Sequence, residues 1–414
     1  MDNILTCCCG LDIHKESIVA CLLQGPLDDG YKPTSEIREF GTQLADLYAL
    51  REWLQAHDCH YVAMESTGIF WQPVYAIIEE AFEDDMHLLV VNARHLKKVP
   101  GRKTDMRDAE WIASLLRAGL LRGSFVPERT IRDLRQFTRY RKALIRDITS
   151  QKNRVEKLLQ SSGFRLSSFL SDIFGASGRA IMEQLVQIGH ITRQSLETCL
   201  KGRARRKSNE ILTNLNGTLS TPQRKLLNRQ LAHLRDLQDN LAEVEQDIRA
   251  NFAQFEGAVE LLDTIPGVDL TAAHAILAEI GVEMSAFPTA QHICSWAGLA
   301  PGNHESAGKK KKQPVTHGNN YLKTILCEVA WVIAGQKDLY LSSWYWRLKQ
   351  KTDTKRAIIA LARKLLVIIY TMLKTNQPYD EQRFLERKQA SEQKRVNRMV
   401  KELARLGYSV SLAG

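Results

Sequence analysis

Ser306 stands just ahead of Gly308 and four consecutive lysines, Lys309 to Lys312, in the stretch PGNHESAGKKKKQPVTHGNN, residues 301–320. A hydroxyl beside dense positive charge suits phosphate chemistry, because cations stabilise the charge that builds on phosphoryl oxygens. Glycine, proline and asparagine at both ends mark the stretch as a loop between two helical segments. The same residues also suit a solvated loop that only touches phosphate. A lone loop serine is not by itself a nucleophile, and ordinary loop placement explains His304 as well as a role as base does.

Four acids offer a second kind of chemistry. Asp12 ends the first apolar run, Glu65 ends a later one in MEST, and Asp105 and Asp108 lie three apart in KTDMRDAEW. That last spacing puts both acids on one face of a helix. Carboxylates at neighbouring strand ends, joined by acids on a packed helix, can hold two Mg²⁺ ions, since hard cations take oxygen ligands and a pair of them can clamp a phosphodiester. Asp105 and Asp108 could instead only favour a helix N-terminus. Asp12, following the buried-type run CCCGL, needs a partner or water, and the combination favours metal binding. Arg94, His95, Lys97, Lys98, Arg102, Lys103 and Arg107 surround the last pair of acids. A solvated basic loop would explain them too, but beside a carboxylate cluster they read as substrate-phosphate contacts.

The elements that must position these groups follow from periodicity. Residues 1–125 read as a first domain. Cys7–Leu11 and Ser17–Leu23 form a hairpin, Glu36–Phe40 a third strand, Tyr61–Met64 and His87–Val91 two more. Helices fall at Leu44–His57, Ile69–Phe82 and Asp105–Leu121. Strands first, then alternating helix and strand, predict a mixed α/β sheet. Residues 126–255 carry two long amphipathic helices, one after Pro127 and one over Pro222–Phe252. Leu134, Phe137, Leu144, Ile148, Val155 and Leu158 follow a seven-residue pattern, interrupted by Arg141 and Gln151. An antiparallel coiled coil or dimerisation arm is expected, with a helical bundle packed within one chain as the alternative; the pieces between are polar, and a variable-looking one includes the basic cluster KGRARRK, residues 201–207.

Residues 256–380 form a mostly α-helical third region. LLDTIPGVDLTAAHAILAEIG, residues 261–281, reads as a helix-hairpin-helix unit in which amides near Gly267 can meet phosphate without reading sequence; an ordinary helical hairpin is the alternative. Helices are expected at Tyr321–Ala334 and Arg356–Leu373, with Trp331, Trp344, Tyr345 and Trp346 in core or interface. Residues 381–414 make a basic helical tail.

The 414 residues are 44% hydrophobic and 25% charged, ordinary for a soluble globular protein, but the net charge of +10 points to a polyanion such as nucleic acid. The N-terminal residues lack the pattern of a signal peptide, and Arg363 and Lys364 interrupt the most apolar late segment, so no membrane span is expected. The eight cysteines contain no Cys-x-x-Cys pair, which argues against zinc and for reduced core thiols in the cytosol.

Taken in order, GLDIHKES, AMEST, GRKTDMRDAEWIA, IPGV and GLAPGNHESAGKKKK resemble the transposases of bridge-RNA-guided insertion sequences, the DEDD transposases or bridge recombinases. The likeness covers most of the chain and is weakest at 160–220 and in the tail. It implies a RuvC-like (RNase H) fold for the first domain, with Asp12, Glu65, Asp105 and Asp108 as the DEDD acids and Mg²⁺ as cofactor. It makes the third region a transposase domain whose catalytic serine matches Ser306; Ser295 lies nearby, but Ser306 sits in the Ser-Ala-Gly-Lys match. In that family the serine forms a covalent phosphoserine link to DNA, and strands exchange through a Holliday-junction-like intermediate. The resemblance also implies donor and target DNA paired by a structured guide RNA, and a dimer of dimers in which one protomer's RuvC-like domain completes a site with another's serine. A bacterial cytoplasmic, nucleoid-associated protein is expected. Lys309, Lys310, Lys311, Lys312, His317 and Asn319 join Arg102, Lys103, Arg107 and Gly267 as expected nucleic-acid contacts. His317 stands where many relatives carry a basic residue, so a contact there would weaken as pH rises past the histidine pKa.

Two other readings fit the residues. One is a metal-dependent Holliday-junction resolvase in which water attacks and Ser306 is structural. The other is a non-catalytic nucleic-acid-binding scaffold built on the hairpin and coiled coil.

Overall fold

The computed structural model describes residues 4–27, 32–66, 68–80, 86–92, 108–301 and 318–406, and the backbone of 305–306 and 309–310. The chain divides between Val126 and Pro127 into two compact units.

The first unit runs β1 (Cys7–Ile13), β2 (Ile18–Gln24), β3 (Thr34–Phe40), α1 (Leu44–Ala56), β4 (Tyr61–Glu65), α2 (Trp71–Glu79), β5 (His87–Val91) and α3 (Asp108–Arg117). The strands form one sheet in the order β3-β2-β1-β4-β5. β1, β2 and β3 are an antiparallel meander, while β4 runs parallel to β1 and β5 parallel to β4. This mixed sheet is compatible with the RuvC-like expectation.

β1 is buried on both faces, which is why its sequence is a continuous apolar run rather than an alternating one. Cys9, Leu11 and Ile13 meet Leu50, Trp53 and Leu54 of α1 and Val74 and Ile78 of α2. Cys8, on the other face, meets Ala109, Ile112 and Ala113 of α3. Gly10 sets the distance of α3 from the sheet. A Cβ there would stand 2.3 Å from the Ala109 carbonyl oxygen and 2.4 Å from the Ala113 nitrogen. β3 lies at the sheet edge and is exposed up to Phe40. Glu36, Arg38 and Glu39 discourage edge pairing there.

The second unit is nearly all helix: α4 (Arg129–Ser161), α5 (Ala176–Gln187), α6 (Arg193–Cys199), α7 (Ser208–Asn214), α8 (Thr221–Phe252), α9 (Glu256–Asp263), α10 (Leu270–Ile280), α11 (Ala290–Trp296), then β6 (Glu305–Ser306) and β7 (Lys309–Lys310), then α12 (Asn320–Gly335), α13 (Tyr340–Lys349), α14 (Thr354–Thr375) and α15 (Glu381–Arg405). α4 and α8 pair antiparallel within the chain. Gln223 Nε2 donates to Ser162 Oγ at 3.0 Å, Gln151 Nε2 to the Gln230 carbonyl at 2.9 Å, and Arg141 to Glu245 Oε1 at 2.6 Å. The two polar interruptions of the heptads, Arg141 and Gln151, are therefore cross-helix partners. Ser220 caps α8 in a reciprocal box with Gln223, and Pro222 occupies its first turn.

The piece between the long helices is not polar filler. Phe164, Ile173, Ile181, Met182, Leu185 and Leu196 form a core continuous with Val155 and Leu159 of α4 and Leu227 and Leu234 of α8. The KGRARRK cluster lies within an exposed to half-exposed 3-10 turn. Of the four aromatic residues expected in core or interface, Tyr345 is buried. Trp331 and Trp346 are about half exposed, at 53% and 50%. No helix among the described residues is long and apolar enough to cross a membrane.

Candidate active site

Three of the four expected acids stand at element ends in the described part of the first unit. Asp12 is the penultimate residue of β1, Glu65 the last of β4, and Asp108 the first of α3. β1 and β4 pair in parallel with Gly10 beside Ala63 and Leu11 beside Met64, so one further step sets Asp12 beside Glu65. Strand alternation places Asp12 on the face of Cys8 and Gly10, and Glu65 on the face of Ala63. That is the face α3 covers. Asp12 is 16% exposed and pairs with His14 Nε2 at 3.2 Å.

Among the described residues no group of three or more His, Cys, Asp or Glu side chains is already drawn together at metal-holding distance. Asp12, Glu65 and Asp108 are all carboxylates and come from three elements, and carboxylate oxygen is the donor class that hard divalent cations take. Asp105, Arg102, Lys103 and Arg107 lie outside the described residues.

The serine segment belongs to the second unit. Its backbone carries a short antiparallel ladder, with Glu305 opposite Lys310 and Ser306 opposite Lys309. The sequence reads the whole stretch as loop, so this hairpin is a correction. Only Ala307 and Gly308 separate the paired residues, and a two-residue connection with glycine is a hairpin signal the lysine run obscured. Lys311, Lys312 and His317 lie outside the described residues.

Both roots of the segment are fixed. On the way in, Gly298 ends α11 at φ 69°, donating to the Ser295 carbonyl at 3.1 Å, while Leu299 donates to the Cys294 carbonyl at 2.9 Å. On the way out, Gly318 crosses directly over this turn. A Cβ on it would stand 2.2 Å from the Gly298 nitrogen and 2.5 Å from the Trp296 carbonyl oxygen. The next residue, Asn319, donates its backbone N–H to that same carbonyl at 3.3 Å.

Asn319 is engaged at both ends of its amide. Its Oδ1 accepts from the Tyr321 and Leu322 amides at 3.0 and 3.1 Å, capping α12. Its Nδ2 donates to Glu279 Oε2 at 2.6 Å. Glu279, in α10, has a side chain only 3% exposed. Arg139 of α4 grips it with two bonds, Nε to Oε1 at 2.8 Å and Nη2 to Oε2 at 2.9 Å. The Arg139 guanidinium also lies over the Tyr321 ring, 4.3 Å from its centroid. One turn earlier, Arg135 donates to the Ala278 and Glu279 carbonyls at 3.1 and 2.8 Å, closing the C-terminal end of α10. Burial pushes the Arg135 guanidinium down to about 10, against the pull of Glu279.

A cavity of about 220 Å³ borders this network, lined among others by Arg139, Arg141, Glu279, His274 and Tyr321. His274 stacks on Phe252 at 4.5 Å. Burial, then the charges of Arg249 and Arg141, hold its imidazole below the usual histidine range.

The hairpin between α9 and α10 turns at Gly267, whose φ of 85° is strained for any residue with a Cβ. Val268 donates back to the Ile265 carbonyl at 3.0 Å, and Asp269 caps α10 by accepting from Ala272. The sequence reading did not single out Glu279, Arg139, Gly318 or Gly10. A signal for the first was present: an acid inside the apolar helix AAHAILAEI must find a partner.

A family model described as Transposase, of the IS110 DEDD group, matches residues 9–163, and one described as Transposase IS116/IS110/IS902 family matches 259–347. The first contains Asp12, Glu65, Asp105 and Asp108, the second Glu279, Ser306 and Asn319. The chain is 36% identical over 124 residues to the pilin gene-inverting protein of Moraxella bovis, a match spanning 29% of this chain and 38% of that protein. The transposase for insertion sequence element IS1111A of Coxiella burnetii is 25% identical over 297 residues, 70% of this chain and 72% of its own length. An uncharacterized 43.6 kDa protein of insertion element IS110 from Streptomyces coelicolor is 29% identical over 153 residues, 35% and 37% of the two chains.

Proposed function

Since the chain belongs to the IS110 family of transposases, we propose that it cuts and rejoins DNA strands as an insertion-sequence recombinase. The observation that supports this reading is the position of three acids in the fold: Asp12 is penultimate in β1, Glu65 closes β4 and Asp108 opens α3. Carboxylate oxygen at strand ends suits a phosphate-bound cation. The relatives' names, transposase and gene-inverting protein, both concern rearrangement of DNA.

In this reading Ser306 Oγ attacks the scissile phosphorus. The new bond is the serine ester, the bond broken is that to one sugar oxygen, and that oxygen leaves as the strand-end hydroxyl, with the proton given up by Ser306 passing through solvent to balance it. The phosphodiester's energy is kept in the ester, so a second strand end can reverse the step and join. Asp12, Glu65 and Asp108, with Asp105, would hold Mg²⁺, which when bound supplies positive charge against the phosphoryl oxygens. Lys309 to Lys312, His317, Arg102, Lys103 and Arg107 hold the DNA backbone, and the Gly267 turn offers amides to a phosphate. A guide RNA pairs with donor and target DNA and supplies the sequence choice. The working form is a dimer of dimers in which serine and carboxylates on one phosphate come from different protomers, in the bacterial cytoplasm at the nucleoid.

The test compares Ser306→Ala and Asp12→Ala on a DNA carrying element ends with co-purified RNA. The reading expects no protein–DNA adduct from the first and no cleavage from the second. Continued cleavage by Ser306→Ala without an adduct would favour water attack, as in a junction resolvase. Unchanged activity in Asp12→Ala would leave only a binding scaffold. Random cellular RNA in the co-purified fraction would remove the dedicated guide.

A further inference from the structure

We propose that Glu279 is a positioning residue of the strand-transfer reaction. It binds Asn319 at the exit root of the serine segment and Arg139 on the long helix α4, and so holds the root from which the Ser306 segment returns to the fold. This rests on the reading of Ser306 as nucleophile only for its catalytic consequence; the mechanical part stands on geometry alone.

The geometry has three parts. First, the segment from Pro301 to Gly318 leaves and re-enters the fold at one point. Gly318 lies against Ala297 and Gly298 so closely that no side chain fits, and Asn319 N–H binds the Trp296 carbonyl. Second, the residue at that point, Asn319, is oriented by a single buried carboxylate, because its Oδ1 is committed to the α12 cap and its Nδ2 to Glu279. Third, that carboxylate is held by α4. Arg139 supplies two charge-assisted bonds, and Arg135 fixes the backbone at the same place.

Glu279 thus takes donors from both sides and has 3% of its side chain in solvent. A buried charge in such a network sets one arrangement of its partners, since any other leaves a charge unpaired. Displacing α4, the arm helix, must displace Glu279, and Asn319 with it. The long helix α4 and the exit root of the serine segment are linked by two sets of side-chain contacts, through Arg139 and Asn319.

Charge and hydrogen-bond direction give the test. Glu279→Gln keeps the shape but turns one acceptor into a donor, which then faces Asn319 Nδ2 or Arg139. Asn319→Asp in the same chain restores the contact with its direction reversed. The amide introduced on α10 then donates to the carboxylate introduced at the α12 cap, and that aspartate side chain still caps the helix. Glu245→Gln, which breaks the Arg141 pair on the same arm, controls for general loosening. Two readouts are taken on the full chain with its RNA: hydrogen exchange of peptides covering 302–319, and the first-order rate of Ser306–DNA adduct formation at saturating DNA.

We expect Glu279→Gln to speed exchange in 302–319 and to slow the adduct step at least about tenfold at unchanged DNA affinity. The double variant should recover both, and Glu245→Gln should change neither. Unchanged exchange in Glu279→Gln, or equal change in Glu245→Gln, overturns the latch. Faster exchange that the double variant reverses, in a protein whose wild type forms no serine adduct, upholds the latch and overturns the nucleophile.

Discussion

Asp12 in the first unit and Glu279 in the second are both acids set among apolar neighbours, and the chain treats them differently. Asp12 is 16% exposed, and its described ion-pair partner, His14, is itself 62% exposed. Glu279 is 3% exposed and receives donors from Arg139, Asn319 and, at 3.3 Å, Arg135. An acid whose lone pairs are filled from within holds a structure together. An acid at a strand end with a weakly held partner, beside a second strand-end acid, is available to something from outside. In the proposed reaction, the contrast separates a residue that positions chemistry from those that take part in it.

The largest effects should fall on the strand-end acids and the serine. Asp12→Asn should lower strand cleavage by about a hundredfold or more, the scale of losing one preorganised charge at a reacting phosphate, with little change in melting temperature. Mixing Asp12→Asn with Ser306→Ala protein should restore part of the cleavage if the two groups come from different protomers; a mixture shown to contain both variants that stays inactive would break that arrangement.

Glu279→Ala should show the reverse pattern. Removing one partner of a buried ion network costs about 3–5 kcal/mol, read as a lower urea midpoint. Loss of activity without loss of stability would erase the distinction between the two acids.

Gly10→Ala tests the frame on which the first contrast depends. The added methyl meets backbone of α3 on the inside of the sheet. The unit should lose about 1–3 kcal/mol by overpacking, and Asp108 should move with the helix. Unchanged stability together with full cleavage would show that α3 can shift without disturbing the acids.

The smallest effect concerns pH. The folded-state pKa of His274 lies below its unfolded value of about 6.5. As pH falls below that value, the unfolded chain takes up a proton that the folded one resists, so stability drops. Thermal midpoints of His274→Gln between pH 7.5 and 5.5 should fall less steeply than those of the wild type. Parallel curves would mean that the imidazole is not desolvated.

Much of this was legible in the residues. The apolar runs of β1, β2 and β4, the helix over Leu44–Ala56 and the two long helices were readable because each has one strong period. So were the acids at strand ends, because an acid closing a buried run is conspicuous. The core between the long helices was not, since Phe164, Ile173 and Met182 are spread over short helices with no sustained period. The hairpin at Ser306 was hidden because lysines carry no strand signal. The Glu279 network joins residues 139, 279 and 319, which no local pattern connects; only the isolated acid in α10 hinted at it.

The central claim is that Ser306 is the atom source of the DNA link and that the carboxylate end makes the link possible. Peptide mapping of the denatured protein–DNA adduct tests it most directly. The account predicts a nucleotide remnant on Ser306 in the wild type and no remnant in Asp12→Asn at equal DNA occupancy. A remnant on another residue, or an undiminished Ser306 adduct in Asp12→Asn, would contradict it.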